Sequence, residues 1–274
     1  MPGGRTERAA EFLQQIGDPA HPILGAENVA VIVAHPDDET IGCGVLLHRL
    51  PGVRVIVITD GAPRNLADAH AHGFATAMAY TEARTTELHR AVCVADISPD
   101  RVMLLGIPDQ QAVRNLEFVI DELGRLFSHY GIHVVLTHAY EGGHPDHDAA
   151  AFCVHQAASS NTHSIGIVEM PYYRAADTGA VQQSFAPGGD APIVLALNEK
   201  GRRLKRQMIA EYKTQANVLA GFSLETEQFR IAPDYDFMQL PNGGRVLYEC
   251  ESWGVTGQDW LHAVNAYFAR EAAA

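Results

Sequence analysis

Two short clusters in this chain combine histidine with carboxylates. His35-Pro36-Asp37-Asp38 supplies one imidazole and two carboxylates, with Glu39 next in line, and His144-Pro145-Asp146-His147 supplies two imidazoles and one carboxylate. These are donors that a divalent ion takes from a protein. Two imidazoles and one carboxylate occupy one face of the ion and leave the rest of its coordination sphere open to water and substrate, which marks a catalytic rather than a structural site. Zinc held in this way lowers the pKa of its water from ~15.7 toward ~7, making hydroxide available at neutral pH.

Each cluster needs an element that ends at it. Residues 29–34 (VAVIVA) form a β-branched run that stops at His35, and Thr40–Leu50 reads as a helix, so the first cluster is the loop of a strand-loop-helix unit. His133–Thr137 runs into His138 and on to the second cluster, and an Ala-rich helix begins near Asp148, repeating the arrangement. Further strands are expected at Val53–Thr59, Val102–Leu105 and Ile165–Met170. Helices are expected at Thr81–Ala95 and over 113–127, where Val113, Leu116, Val119, Ile120, Leu123, Leu126 and Phe127 share a face.

Strands alternating with helices predict an α/β fold: a doubly wound, Rossmann-like, mostly parallel sheet flanked by helices. In such a sheet ligands bind beyond the carboxyl ends of the strands, where both clusters lie; if their strands are neighbours, the side chains converge. Residues 1–175 read as the main catalytic domain, in which Asn65–Ala79 lacks periodicity and reads as a mobile loop. Residues 174–191 read as a linker or surface insertion. Residues 176–274 read as a smaller C-terminal lobe contributing to the substrate cleft. In it a strand is expected at Ile193–Leu197, a long helix at Glu199–Leu219, and a hairpin turn at Asn242-Gly243-Gly244 before Arg245–Cys250.

The chain has 274 residues, 47% apolar and 19% charged, enough to bury a full core without disulfides. Its net charge of −13 repels nucleic acid and anionic membrane, so neither is expected as a partner, although a single cleft can still receive a phosphorylated substrate. Cys43, Cys93, Cys153 and Cys250 are scattered, contain no CxxC pair and read as buried free thiols. The first twenty residues lack an apolar signal core and no stretch approaches the ~18–20 apolar residues of a membrane span, so a cytoplasmic protein is expected. A homo-oligomer is left open.

AHPDDE after a first strand, with HPDH after a later one, resembles the LmbE-like, or PIG-L, family of zinc-dependent deacetylases, which hydrolyse amides of the N-acetylglucosamine type. Arg84, Glu87 and Ala91 resemble that family's R-x-x-E-x-x-x-A helix, and Leu105–Asp109 (LGIPD) its LGxPD segment; the resemblance spans roughly residues 29–170. It implies that His35, Asp38 and His147 are the metal ligands, that Asp37 is the general base and that His144 is an electrophilic group beside the substrate carbonyl. Asp146 would orient an imidazole. The implied cofactor is Zn²⁺, with Fe²⁺ as the alternative metal, and the implied partner is a small N-acylated amino sugar or related conjugate.

These roles are chemically coherent. Asp37 adjoins a ligand, so it can accept a proton from metal-bound water and later deliver it to the departing amine. A protonated His144 and the metal together can stabilise the oxyanion. The chain departs from the family at Thr59-Asp60-Gly61-Ala62, where relatives often carry an acidic residue after T-x-G, and residues 63–79 and the C-terminal lobe match no family motif.

Plainer readings exist for several of these residues. The first cluster could be a capped helix start, but two independent caps would not need histidines. Gly42-Cys43-Gly44 lacks the third glycine of a dinucleotide fingerprint, and the carboxylates before it would repel a pyrophosphate. His70, His72, His138 and His155 read as ordinary hydrogen-bonded or solvated histidines, His138 being nearest the second cluster. Asp109 faces the site if the third strand ends nearby, Tyr140 is a candidate carbonyl contact, and Arg64 reads as a solvated surface residue, with a phosphate or sugar contact as the alternative.

Lys200–Arg206 reads as a solvated helix face, with Leu204, Met208 and Tyr212 in the core, and Trp253 and Trp260 as packing residues that could line a sugar site. Two rival functions remain. A non-haem Fe(II) enzyme would use the same two-histidine, one-carboxylate set with oxygen-dependent turnover. A non-catalytic sugar-binding protein would have no need of Asp37.

Overall fold

The computed structural model describes residues 3–18, 23, 26–177, 179–251 and 253–273. After helix α1 (Gly3–Gly17), the chain alternates β1 (Val29–Val33), α2 (Asp38–Leu47), β2 (Arg54–Thr59), α3 (Ala67–Ala71), α4 (Ala77–Val94), β3 (Val102–Ile107), α5 (Leu116–Tyr130), β4 (Val134–His138), α6 (Pro145–Ser159) and β5 (Gly166–Met170). It continues through β6 (Tyr173–Ala175), β7 (Ala180–Gln182), β8 (Ile193–Ala196), α7 (Glu199–Ile209), α8 (Ala216–Leu219), β9 (Thr226–Ile231) and α9 (Gly257–Glu271).

The main sheet has the order β3-β2-β1-β4-β5-β9-β8. Strands β1 to β5 are parallel, and β9 and β8 are added antiparallel. The chain winds outward from β1 to β3 and then returns to place β4 beside β1, with Ala30 opposite Val135 and Val31 opposite Leu136. That reversal is a topological switch point, where an open α/β sheet binds its ligands. It is the doubly wound α/β fold expected from the alternation.

Helices cover both faces of this sheet. Ala30 and Ile32 of β1 pack with Leu123, Phe127 and Phe152 on one side, and Val29, Val31 and Val33 with Leu46, Leu88 and Val92 on the other. Every β1 residue is therefore buried, which is why the strand reads as a continuous apolar run rather than an alternation. The apolar stripe of α5 is buried as the periodicity predicts.

Several local expectations are corrected. Residues 65–79 are not one loop: α3 lies within them and α4 already begins at Ala77, capped by Thr76, whose hydroxyl accepts the Ala79 N–H. A small satellite core of Ala62, Ala69 and Tyr80 with Phe74 holds this segment, too short to show periodicity in sequence. The helix expected over 199–219 ends at Ile209, where the chain turns so that the Thr214 amide and hydroxyl donate to Glu87 at 3.0 and 2.6 Å.

Asn242-Gly243-Gly244 forms a 3₁₀ turn with no strand after it, because the Leu247 amide donates to Gly142 O at 2.7 Å instead of joining a ladder. Residues 174–191 carry the small β6–β7 hairpin, with Thr178 outside the described residues. Lys205, expected on a solvated face, is buried. Among the described residues no helix is long and apolar enough to cross a membrane.

Candidate metal centre

His35 follows β1 and Asp38 opens α2, while His138 ends β4 and His144 is the N-cap of α6, with Pro145 in its first turn. Because β1 and β4 are neighbours, the two clusters meet. His35 Nδ1 lies 3.2 Å from Asp38 Oδ2, His147 Nε2 lies 3.4 Å from the same oxygen, and the two imidazole nitrogens are 3.3 Å apart. Donors bonded to one tetrahedral ion at about 2.0–2.2 Å stand roughly 3.3–3.6 Å from one another. The three atoms therefore fit one face of a zinc-sized ion.

Other combinations of donors lie within the same cluster: His35 with His144 and His147, Asp38 with His138 and His147, and His35 with Asp109, His144 and Asp146. Hydrogen bonds separate them. His138 Nε2 accepts the Ala34 amide at 2.9 Å, so that nitrogen's lone pair is already used. His144 Nδ1 accepts the Asp146 amide at 3.1 Å, which puts the proton of the neutral ring on Nε2. His35 Nε2 lies 3.4 Å from Asp146 Oδ2, so in the tautomer that carries its proton on Nε2 the Nδ1 lone pair faces Asp38 Oδ2 and His147 Nε2. Of the imidazole nitrogens around Asp38 Oδ2, His138 Nε2 is taken by a backbone amide, whereas His35 Nδ1 and His147 Nε2 accept from none.

The second cluster thus orients the first. Asp146 is itself fixed by the amides of Gln110 at 2.6 Å and Ala112 at 3.0 Å, in the segment after β3. Asp109, which ends the LGIPD segment, does face the site: its Oδ1 is 3.3 Å from His35 Nε2, but not aligned for a hydrogen bond. Burial pulls the His35 pKa down, and Asp109, Asp146 and Asp38 outweigh it and raise it well above 6.5. Burial works against the Asp38 carboxylate, yet His147 and His138 hold its pKa well below the usual range. Both directions describe a pocket that favours positive charge.

Asp37 has φ 122°, a conformation that non-glycine residues rarely adopt. Its neighbours enforce it. The Asp37 amide donates to Glu39 Oε2 at 3.0 Å, and Arg84 donates to Asp37 Oδ2 at 3.0 Å, to Pro36 O at 2.7 Å and to Gly61 O at 2.5 Å. Burial raises the Asp37 carboxyl well above the normal range, opposed by Arg84. Glu39 also accepts the hydroxyl of Tyr212, which ties the first cluster to the segment after α7.

The loop before α6 is fixed from two sides. Asp148 Oδ1 accepts the amides of Glu141 and Gly142 at 3.2 and 3.0 Å, and Glu141 Oε1 accepts those of Tyr172 and Tyr173 at 2.7 and 3.0 Å. Gly143 passes so near residue 173 that an added Cβ would stand 1.9 Å from its carbonyl oxygen. Tyr172 donates its hydroxyl to Asp38 O at 2.9 Å. Sequence reading missed Tyr172, Tyr173, Glu141 and Gly143; the available signal was a tyrosine pair at the carboxyl end of β5.

Trp253 packs against His144, ring centroids 4.5 Å apart, and borders a cleft of about 270 Å³ shared with Arg64, Asp109, Gln110 and Arg114. Trp260 is core. Tyr140 is not a site residue: it donates to Gln239 O at 2.9 Å within an aromatic cluster with Phe237 and Trp260. His70 and His72 are exposed, and His155 sits against Tyr235 and Phe237. Arg64 bonds to Asp60 and to Ala62 O.

Residues 30–158 match the family model of GlcNAc-PI de-N-acetylase (PIG-L). Among solved structures, a deacetylase of the teicoplanin biosynthesis pathway is similar over 76% of this chain and 99% of its own, at 17% identity and a TM-score of 0.57. The zinc-inhibited form of teicoplanin deacetylase is similar over 76% and 99%, at 16% identity and a TM-score of 0.55. N,N′-diacetylchitobiose deacetylase from Pyrococcus horikoshii is similar over 83% and 92%, at 16% identity and a TM-score of 0.53. No curated protein matches the chain. At these identities the structures speak for the fold, while the match to the PIG-L, or LmbE-like, family model, over residues 30–158, falls on the segment that holds both clusters.

Proposed function

We propose that this protein is a metal-dependent deacetylase, hydrolysing the amide of an N-acylated amino sugar or related conjugate, with zinc held by His35, Asp38 and His147. The observation that carries the reading is the set of mutual separations of 3.2, 3.3 and 3.4 Å among His35 Nδ1, Asp38 Oδ2 and His147 Nε2. The family match and the likeness in fold to deacetylases support it.

When bound, the ion would supply a water of lowered pKa and a Lewis acid for the acyl oxygen. The chain supplies the proton transfers. Asp37, held by Arg84, accepts a proton from the attacking water and returns it to the departing amine. Asp146 keeps His35 in the tautomer that presents Nδ1. His144 donates through Nε2–H to the acyl oxygen as negative charge develops on it.

The bond from the Asp146 amide to His144 Nδ1 supports a neutral donor here, in place of the protonated imidazole expected from sequence. Burial and the neighbouring His35 also push the His144 pKa well down. The cleft beside Trp253 and Asp109 is the place for the sugar ring, which gives residues 176–274 a share in substrate binding.

The test is acetate release from a panel of N-acetylated sugars and conjugates, with and without chelator, under air and under nitrogen. Chelator-sensitive, oxygen-independent release is expected. Turnover that requires oxygen, or release unaffected by complete metal removal, would overturn the assignment.

A further inference from the structure

Helix α2 carries Asp38 and Glu39 in its first turn and breaks midway, at Cys43, whose φ of −146° and ψ of 25° are not helical. The break falls within Gly42-Cys43-Gly44, where Gly42 has no room for a side chain: a Cβ would stand 2.4 Å from the Tyr172 hydroxyl, the group that bonds to Asp38 O. A broken helix leaves backbone groups without partners, and α2 is buried at this point. In an unbroken helix the Val45 amide would bond to Ile41 O and the Leu46 amide to Gly42 O.

Here both amides go elsewhere. Val45 N donates to Glu227 Oε1 at 2.8 Å and Leu46 N to Glu227 Oε2 at 3.0 Å, while Ile41 O accepts from Lys205 Nζ at 2.7 Å. The two side chains pair with each other at 3.0 Å and are nearly inaccessible, at 1% for Lys205 and 2% for Glu227. Each end of this buried ion pair is thus used on the helix. The carboxylate holds the downstream turn, and the ammonium holds the last carbonyl of the upstream turn.

We propose that Lys205 and Glu227 are positioning residues for the metal site: inserted into the break of α2, they fix the direction of the turn that presents Asp38. Both lie outside the family-matched residues 30–158, on α7 and β9, so the C-terminal part of the chain completes a site whose donors all come from the N-terminal part. The pairing explains why one lysine of the basic run is buried. A buried ion pair is a poor source of net stability, because desolvation offsets most of its attraction. Its use here is geometric.

The inference rests on the metal site proposed above, and the experiment separates the two. Zn²⁺ affinity is measured by competition with a chromogenic chelator, alongside the visible spectrum of the Co²⁺-loaded protein and the melting temperature of the metal-free protein. The set comprises wild type, Lys205→Arg, Glu227→Asp and the double variant Lys205→Met/Glu227→Gln, which leaves no unpaired charge buried. Leu123→Ala, in the core far from α2, is the control for general destabilisation.

Lys205→Arg should bind Zn²⁺ within about twofold of wild type. Glu227→Asp, whose shorter carboxylate cannot reach both amides, and the double variant should bind at least tenfold more weakly and show an altered Co²⁺ spectrum, while Leu123→Ala loses melting temperature without losing affinity. Should the double variant fail to fold, Glu227→Asp decides alone. Affinity and spectrum unchanged in Glu227→Asp, with only its melting temperature lowered, would overturn the positioning role. Failure of wild type itself to bind metal would instead overturn the site reading.

Discussion

Nε2 of His147 and Nδ1 of His35 stand 3.3 Å apart, although 112 positions separate the two residues in the chain. The fold makes that approach inevitable once β4 pairs with β1 in parallel, because both strands end at the same edge and each hands its loop to a helix that starts there. Two imidazoles at that distance, beside the Asp38 carboxylate, are better satisfied by a shared cation than by each other.

The first prediction separates His147 from His138, which stack with ring centroids 4.0 Å apart and are both buried. His147→Ala should lose bound metal, whereas His138→Ala should keep it, because His138 Nε2 is taken by the Ala34 amide. Metal per chain after gel filtration decides the matter; loss in His138→Ala with retention in His147→Ala would mean that the wrong imidazole has been assigned.

Asp37→Ala should retain metal within about twofold and lose kcat by about 10²–10⁴, the range of general acid–base catalysis. Arg84→Lys should show a smaller loss of the same kind, since an ammonium cannot hold Asp37, Pro36 O and Gly61 O in one plane. Metal content and steady-state rates measured on the same preparations give the answer, and wild-type kcat in Asp37→Ala would remove its role as base.

Gly143→Ala places a methyl group where the carbonyl of residue 173 already is, so the loop leading to His144 must shift. A melting temperature several degrees lower, reflecting about 1–3 kcal/mol, and a reduced kcat are expected together. A variant with unchanged stability and rate would show that the loop has slack the structure does not suggest.

His155 lies away from the metal site, between Tyr235 and Phe237, and burial lowers its pKa to about 4. The unfolded chain binds a proton at His155 near pH 6.5 and the folded chain does not, so this residue's contribution is fully present above about 6.5 and is lost as pH falls toward 4. His155→Phe keeps the ring and removes the titration. Between pH 7 and pH 4.5 the metal-free wild type should lose about 5 °C more in melting temperature than the variant. Parallel pH profiles would show that His155 is equally basic in both states.

The strand ends and the two clusters were legible because each is local: a β-branched run, an abrupt polar loop and an Ala-rich helix need no distant partner to be recognised. Asp37 and Asp146 also came from sequence, but through family resemblance rather than spacing. By contrast α1, β9 and α9 had no counterpart in the pattern reading. β9 interleaves Thr, Glu, Gln and Arg with a single Phe and Ile, and its polar residues are accommodated only because Glu227 meets Lys205 and Arg230 meets Glu169.

By itself, the sequence determined which residue types stand at the carboxyl ends of β1 and β4, and hence that a cation-binding hydrolase was the chemistry to expect. Only the tertiary structure decided which histidine nitrogens are taken, because the Ala34 amide from the end of β1 occupies His138 Nε2 and Asp146, held by amides beyond β3, faces His35 Nε2. It also decided that a lysine and a glutamate from the far end of the chain enter the break in α2. Hydrogen-bond direction and helix continuity depend on neighbours in space, and no local run of residues encodes them.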